Sequence, residues 1–437
     1  MFRFYLSLII LTMLGVRNTL YFHRFNNGLI LLAEPMDWME SVSYSILIPY
    51  GPVLDPPELA GLSSLNCEMM LRGAGKRNSR QFLQSLENLG CETSEMVAHL
   101  HTGFGASMLS DHLLPSLELL ADQIRRPRFP EEQLENAKQV VKQDIFSLED
   151  DPPHRVMLEL QHHFLPDPWG RSNLGTLTSI DRIKIDDIRQ QHARYFQPDG
   201  TILSIAGKLN WEIVCDKVGE LFSDWKPQPL VLPEEKIIGS RLVHIPCDSL
   251  QTHIGVAFPC VPLRSPDYMA AWSGVGILSG GMSCRLFNEM REKRGLCYNV
   301  YALYSTLKDQ AGVYCYCGTG TEHAQESLDV LIEELNRLRF GIDDGELNRL
   351  KNRAKSTLIM QQESTGSRSG MMAQDWYHLG RVRTLDEIES AINSLTTSTI
   401  NNYFADHPPS PFHIVTLGPE PLRASIPDQI YSSPLIN

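Results

Sequence analysis

From Ser41 to Pro49 the chain alternates small polar and larger apolar residues, Ser-Val-Ser-Tyr-Ser-Ile-Leu-Ile-Pro, which is the period of a half-buried strand. His253-Ile-Gly-Val-Ala-Phe258 repeats that character. Between such segments the apolar spacing changes to three and four. Asp111-His-Leu-Leu-Pro-Ser-Leu-Glu-Leu-Leu-Ala-Asp-Gln-Ile124 predicts an amphipathic helix, and a second helix follows from about Glu131. Roughly 210 residues later the pattern returns. Glu322 to Leu335 predicts a helix, Leu338-Arg-Phe-Gly341 interrupts it, and another begins near Asp344. Leu174 to Ile183 is answered by Thr384 to Ile392. Each half closes with a helix ending in Tyr-Phe (Tyr195-Phe196, Tyr403-Phe404), a proline-containing turn and a strand ending in glycine (Thr201–Gly207, Phe412–Gly418).

Matching order of elements and of turn chemistry predicts a duplicated α+β fold. Each domain is read as a mixed or antiparallel sheet flanked by helices, the first over 20–226 and the second over 237–437. Pro227 to Lys236, rich in proline, supplies a stiff linker between them. Two such domains are expected to close as a clamshell, with a ligand crevice between them.

The formal charge of −13, from 39 basic and 52 acidic residues, argues against nucleic acid as a partner. It suits a chamber for basic or neutral peptides and equally serves solubility. Nine cysteines with no C-x-x-C spacing read as reduced thiols, which favours the cytoplasm. Cys315 and Cys317 share one face of a strand. The apolar run Tyr5–Val16 behind Arg3 has the shape of a short signal segment, but no small-x-small site follows it. A signal, an anchor and a start-site artefact all stay open for residues 1–20. A periplasmic or membrane-associated location, and any membrane contact, depend on that run.

Three segments carry a family resemblance: Gly51-Pro-Val-Leu-Asp-Pro-Pro-Glu-Leu-Ala-Gly-Leu followed by Met69-Met-Leu-Arg-Gly, Phe164-Leu-Pro-Asp-Pro-Trp-Gly-Arg-Ser-Asn-Leu-Gly, and above all Ser279-Gly-Gly-Met-Ser-Cys-Arg-Leu-Phe-Asn-Glu-Met-Arg-Glu-Lys-Arg-Gly-Leu-Cys-Tyr298. The chain resembles the pitrilysin-type zinc peptidases, in the branch of the mitochondrial processing peptidases and their bacterial relatives. In active members H-x-x-E-H on a helix supplies two zinc ligands one turn apart and a general base between them, and a distant Glu completes the set. Laid on this chain without a gap, the motif falls on Ser64, Cys67 and Glu68, and the distant ligand on Asp144. The accessory acid before that ligand is Ala137. A hydroxyl and two carboxylates replace poorly the imidazoles that zinc prefers, and a thiol cannot serve as the carboxylate base. The expectation is no metal in this chain and zinc in a partner subunit.

Cys67, Glu68 and Asp144 could in principle gather a cation, and simple loss is the favoured reading. His99-Leu-His101 is read as two same-face positions of a strand and His162-His163 as the structural end of a helix. Gly280-Gly281 is read as a tight turn rather than a phosphate cradle, because no Lys-Ser/Thr follows. Glu92-Thr-Ser-Glu95 departs from the family's peptide-binding edge strand.

The second half differs. The resemblance implies that an arginine and a tyrosine seven residues apart reach the substrate's scissile region and the developing oxyanion, and Arg291 and Tyr298 keep that separation. One half-site lost and one kept implies a non-zinc subunit of a heteromeric peptidase, working with a homologous zinc-bearing chain on a peptide substrate. The alternatives are a catalytically inactive peptide-binding or scaffold protein and a self-sufficient zinc endopeptidase.

Overall fold

The computed structural model describes residues 19–237 and 239–423, so the Tyr5–Val16 run lies outside the described residues. The alternating segments of the first half become β1 (Tyr21–Arg24), β2 (Ile30–Pro35), β3 (Ser41–Ile48), β4 (Gly73–Ala74), β5 (Arg77–Asn78), β6 (Glu92–Val97), β7 (Thr102–Leu109) and β8 (Ile202–Gly207). β4 and β5 pair only with each other, and the other six join one sheet in the order β1-β2-β8-β3-β7-β6. β2 and β8 run parallel, Ile30 opposite Ile202, and every other neighbour in that sheet is antiparallel.

The second half builds β9 (Leu242–Pro246), β10 (Gln251–Cys260), β11 (Cys297–Thr306), β12 (Ala311–Gly320) and β13 (His413–Gly418), ordered β11-β12-β10-β13-β9. Here β13 and β9 are the parallel pair. Written outward from the parallel pair, the two sheets read β2-β8-β3-β7-β6 and β9-β13-β10-β12-β11. The duplication legible in the helices therefore extends to strand pairing, with β1 as an addition. The fold is α+β.

Alternation decides what each face meets. On β3, Tyr44 points to the Leu113–Arg125 helix, where its hydroxyl lies 3.2 Å from Ser116 Oγ. Leu47 turns the other way and packs with Ile30, Leu32, Ile202 and Ala206 against Met372 and Ala373. Those two residues belong to the Thr365–Leu379 helix, far along the chain. The second sheet mirrors this. Val156 and Leu160 of the Pro152–Phe164 helix pack on Ala257, Tyr314, Tyr316, Val415 and Leu417.

Each sheet is thus covered on one face by a helix from the opposite half of the sequence. The two compact units follow that exchange. One runs through Val141 and adds Thr178–Val231 and Met360–Val382; the other is Lys142–Leu177, Leu232–Ile359 and the chain from Arg383 onward. The switch at Val231–Leu232 falls inside the proline-rich linker.

The two covering helices are held differently. Pro152–Phe164 sits on an apolar surface, whereas Thr365–Leu379 meets a polar seam. Ser43 Oγ lies 2.7 Å from Thr365 Oγ1, and the Ser204 hydroxyl donates to the Ser369 carbonyl at 2.6 Å. Arg368 grips Glu34 with two parallel hydrogen bonds, Nε to Oε1 at 3.1 Å and Nη2 to Oε2.

One expectation from the sequence is corrected. His99 and His101 are not strand residues: β6 stops at Val97 and β7 begins at Thr102. The Ala98 N–H donates to the His101 carbonyl at 2.7 Å, closing a tight connection, and the buried His101 ring stands edge-on to Tyr377 with centroids 4.2 Å apart. Among the described residues no helix is long and apolar enough to cross a membrane.

Candidate functional site

The helix that carries the metal motif in the resembled family is Leu62–Met70. Asp55 anchors its start. Its buried carboxyl accepts from the Ser63 N–H at 3.0 Å, the Ser63 hydroxyl at 2.9 Å and the Tyr50 hydroxyl at 3.1 Å. Burial pushes that carboxyl up to about 6, and the three donors oppose the rise.

One turn apart, Ser64 and Glu68 share a half-buried face, while Cys67 is 5% exposed and turns inward. Burial raises the Cys67 thiol to about 12, helped by the negative charges of Glu95 and Glu68. At neutral pH it is a protonated thiol. It cannot take a proton from water, and a thiol must lose its own proton to ligate a metal. Glu68 is occupied as well: its Oε1 pairs with Arg72 Nη2 at 2.5 Å, and the two side chains are 21% and 18% exposed. A cation arriving here would meet a guanidinium already seated on the carboxylate. Asp144 stands exposed on the Leu134–Glu149 helix, and Ala137, on the same helix, is fully buried and offers no oxygen. Among the described residues no group of three His, Cys, Asp or Glu could hold a metal ion. The residues at the motif positions do not fit zinc.

Arg291 and Tyr298, by contrast, are brought together. The segment Phe287–Lys293 is a π-helix, a wider turn than the α-helix that recurs at functional sites. It places Arg291 four residues after Phe287, with the guanidinium carbon 4.8 Å from that ring's centroid. The same carbon lies 4.6 Å from the Tyr298 ring centroid, and Nη1 donates to the Tyr298 carbonyl at 3.0 Å. The guanidinium thus rests against two aromatic rings.

Tyr298 owes its position to a β-bulge. Cys297 pairs with Thr319 and Asn299 with Gly318, so Tyr298 is the extra residue without a partner on β12. The ring leaves the sheet and is 82% exposed. The phenol and the guanidinium are both hydrogen-bond donors.

Sequence reasoning missed Arg72 and Phe287. Both were signalled by helical spacing, Glu68 to Arg72 and Phe287 to Arg291 each being four residues apart. The bulge had no such signal. Glu92–Glu95 is found on β6, the exposed edge of its sheet. His162 and His163 lie in the last turn of the Pro152–Phe164 helix, where the His163 carbonyl accepts from the His413 ring at 3.1 Å.

Comparison with known proteins follows this geometry. Residues 33–176 match the family described as Insulinase (Peptidase family M16), and residues 182–354 match the Peptidase M16 inactive domain. The chain belongs to the M16 peptidase family. The resemblance read from the sequence is to this family, in the form of a member without the zinc motif. An uncharacterized zinc protease of Bacillus subtilis (strain 168), YmxG, is 27% identical over 387 residues, which is 86% of this chain and 92% of that protein. Another, from Rickettsia felis, is 24% identical and covers 87% of this chain and 92% of its own. Among solved structures, a peptidase M16 inactive domain from Pseudomonas fluorescens superposes with a TM-score of 0.85 at 20% identity, covering 93% of this chain and 100% of its own. A protease from Helicobacter pylori gives 0.83 at 18% identity, over 92% of this chain and 100% of its own. At these identities the solved structures establish the shared fold.

Proposed function

We propose that this M16 chain is the non-zinc subunit of a two-chain peptidase, presenting Arg291 and Tyr298 to a peptide whose hydrolysis takes place at a zinc-bearing homologous partner. The observation that carries the reading is the contrast between the two half-sites. Glu68 is neutralised by Arg72 and Cys67 is protonated, whereas Arg291 rests against two rings with Tyr298 exposed beside it.

In this reading the Tyr298 O–H and the free N–H groups of Arg291 bind a peptide carbonyl oxygen. They gain most when that oxygen becomes negative in the transition state. These contacts matter because a guanidinium held by two rings and a carbonyl loses less side-chain freedom on binding. Chemistry on the water molecule lies with the partner, since this chain supplies neither metal ligands nor a carboxylate base at the motif positions.

The test is peptide cleavage by this chain alone, by a zinc-bearing homologue from the same genome alone, and by the two mixed. The mixture is expected to cleave, with kcat falling about a hundredfold or more in Arg291→Ala and in Tyr298→Phe. The second variant keeps the ring under Arg291 and removes only the hydroxyl, so it separates donation from folding. Cleavage by the mixture that ignores both substitutions overturns the proposal and leaves the scaffold reading.

A further inference from the structure

The second unit carries a separate concentration of positive charge that the peptidase reading does not use. From Arg349 to Gln362 the Asp344–Gln362 helix has four cations, Arg349, Lys351, Arg353 and Lys355, and no acid, in a chain whose net charge is −13. Arg349 and Arg353 are one turn apart and both exposed. Among the described residues neither forms an ion pair, although like charges at that spacing repel by a few tenths of a kcal/mol. The neighbouring acid on the same helix, Glu346, is already taken by Arg285, with Nε to Oε1 at 2.7 Å and Nη2 to Oε2 at 2.8 Å.

The two arginines line a hollow of about 320 Å³ together with Gly280, Gly281, Ser283, Cys284 and Glu346, whose carboxylate is the one bound by Arg285. Arg353 is seated by its surroundings. One nitrogen donates to the Gly276 carbonyl at 3.1 Å, and the guanidinium lies so close to the backbone that a Cβ on Gly280 would sit 2.2 Å from its central carbon. A side chain at 280 would therefore displace the Arg353 guanidinium from this position. Gly281 opens the turn, its carbonyl accepting from the Cys284 N–H at 3.1 Å. Among the described residues the N–H groups of Gly280, Gly281 and Ser283 find no protein acceptor. With the Glu346 charge met by Arg285, the two further guanidinium groups and the backbone donors form a concave, donor-rich surface of the kind that holds oxyanions.

We propose that this hollow is an oxyanion-binding site, taking a carboxylate or a phosphate group between Arg349, Arg353 and the Gly280–Ser283 amides. The chemistry differs from that of a phosphate loop with a lysine. Here the charge comes from across the hollow, on the helix, and the loop contributes only amides. The two sources of the anion, a free phosphate and the terminal carboxylate of a peptide, are separable by experiment.

The test is titration calorimetry on the full chain at constant ionic strength, with chloride as the inert anion. Inorganic phosphate forms one arm. A short acetylated peptide with a free carboxyl terminus forms the other, with its amidated form as control. Saturable binding of phosphate, of the free-carboxylate peptide, or of both at millimolar concentration is expected, with none for the amidated peptide. Arg349→Gln should weaken it at least about tenfold, Arg349→Lys should retain part of it, and Arg80→Gln, outside the hollow, should leave it unchanged. Absence of binding in both arms, or an affinity that Arg349→Gln does not alter, overturns the proposal. Because the readout is anion binding alone, the result is independent of any peptidase activity.

Discussion

Replacing Arg368 with methionine tests the helix exchange where it is most exposed to failure. The Arg368 and Glu34 side chains are each 3% exposed, so the substitution strands a carboxylate beneath the Thr365–Leu379 helix with little access to water. Breaking a buried pair from one side costs about 3–5 kcal/mol, because the remaining charge keeps its desolvation penalty and loses its partner. For a unit of about 200 residues each kcal/mol shifts Tm by about 2–4 °C, so the variant should melt about 6–20 °C lower. The double variant Glu34→Gln with Arg368→Met removes the stranded charge and should recover more than half of the loss, a coupling that a double-mutant cycle reads directly. The assay is urea denaturation of the four proteins, checked by thermal scans. A loss in Arg368→Met below about 1 kcal/mol, the range of ordinary surface substitutions, would show that the helix does not lie on β2 and would refute the exchange.

Two further outcomes follow from buried titrating groups. The His192 imidazole is buried against Phe129 and Phe196, and its Nε2 lies 2.8 Å from the Ile124 carbonyl. Burial lowers it from 6.5 to about 4, so its contribution to stability is complete above 6.5 and is lost as the pH falls toward 4. The loss should reach about 2 kcal/mol between pH 7 and pH 4.5, measured by denaturation at the two values, and should disappear in His192→Gln. The Cys67 thiol, raised to about 12, should resist alkylation in the native protein at pH 8 and react fully after unfolding. Labelling of native Cys67 on the timescale of an exposed cysteine would contradict its burial.

Most of the strand and helix plan could be read from periodicity, because each sheet has faces with different neighbours and each helix presents one apolar stripe. Ser41–Ile48 and the Leu113–Arg125 helix fall where the pattern puts them. His99 and His101 misled because two like residues separated by one look the same in a strand and in a four-residue connection; only the pairing of β6 with β7 shows where the strands end. The exchange of Pro152–Phe164 and Thr365–Leu379 between the sheets could not be read from local pattern at all. An amphipathic helix records that it has a buried face, and the identity of the surface it covers is a property of the whole chain.

At the site, the loss of the zinc ligands was legible once the family's motif was laid on Ser64, Cys67 and Glu68, and the resemblance paired Arg291 with Tyr298. What places them was not legible. A single extra residue at Tyr298 leaves composition and length untouched, yet it decides whether the phenol is in the core or in solvent. The pairing of Glu68 with Arg72 adds a reason, beyond the missing histidines, why these positions do not fit zinc. Restoring imidazoles at Ser64 and Glu68 would also have to dispose of a guanidinium that now has a partner.

The central claim is that this chain brings binding groups and no catalytic metal, and elemental analysis of the purified full-length protein, paired with a peptide-cleavage assay on the same sample, addresses it most directly. The account predicts zinc far below one ion per chain after dialysis and no cleavage by the chain alone. One tightly held zinc ion per chain, accompanied by cleavage that a chelator abolishes, would contradict it.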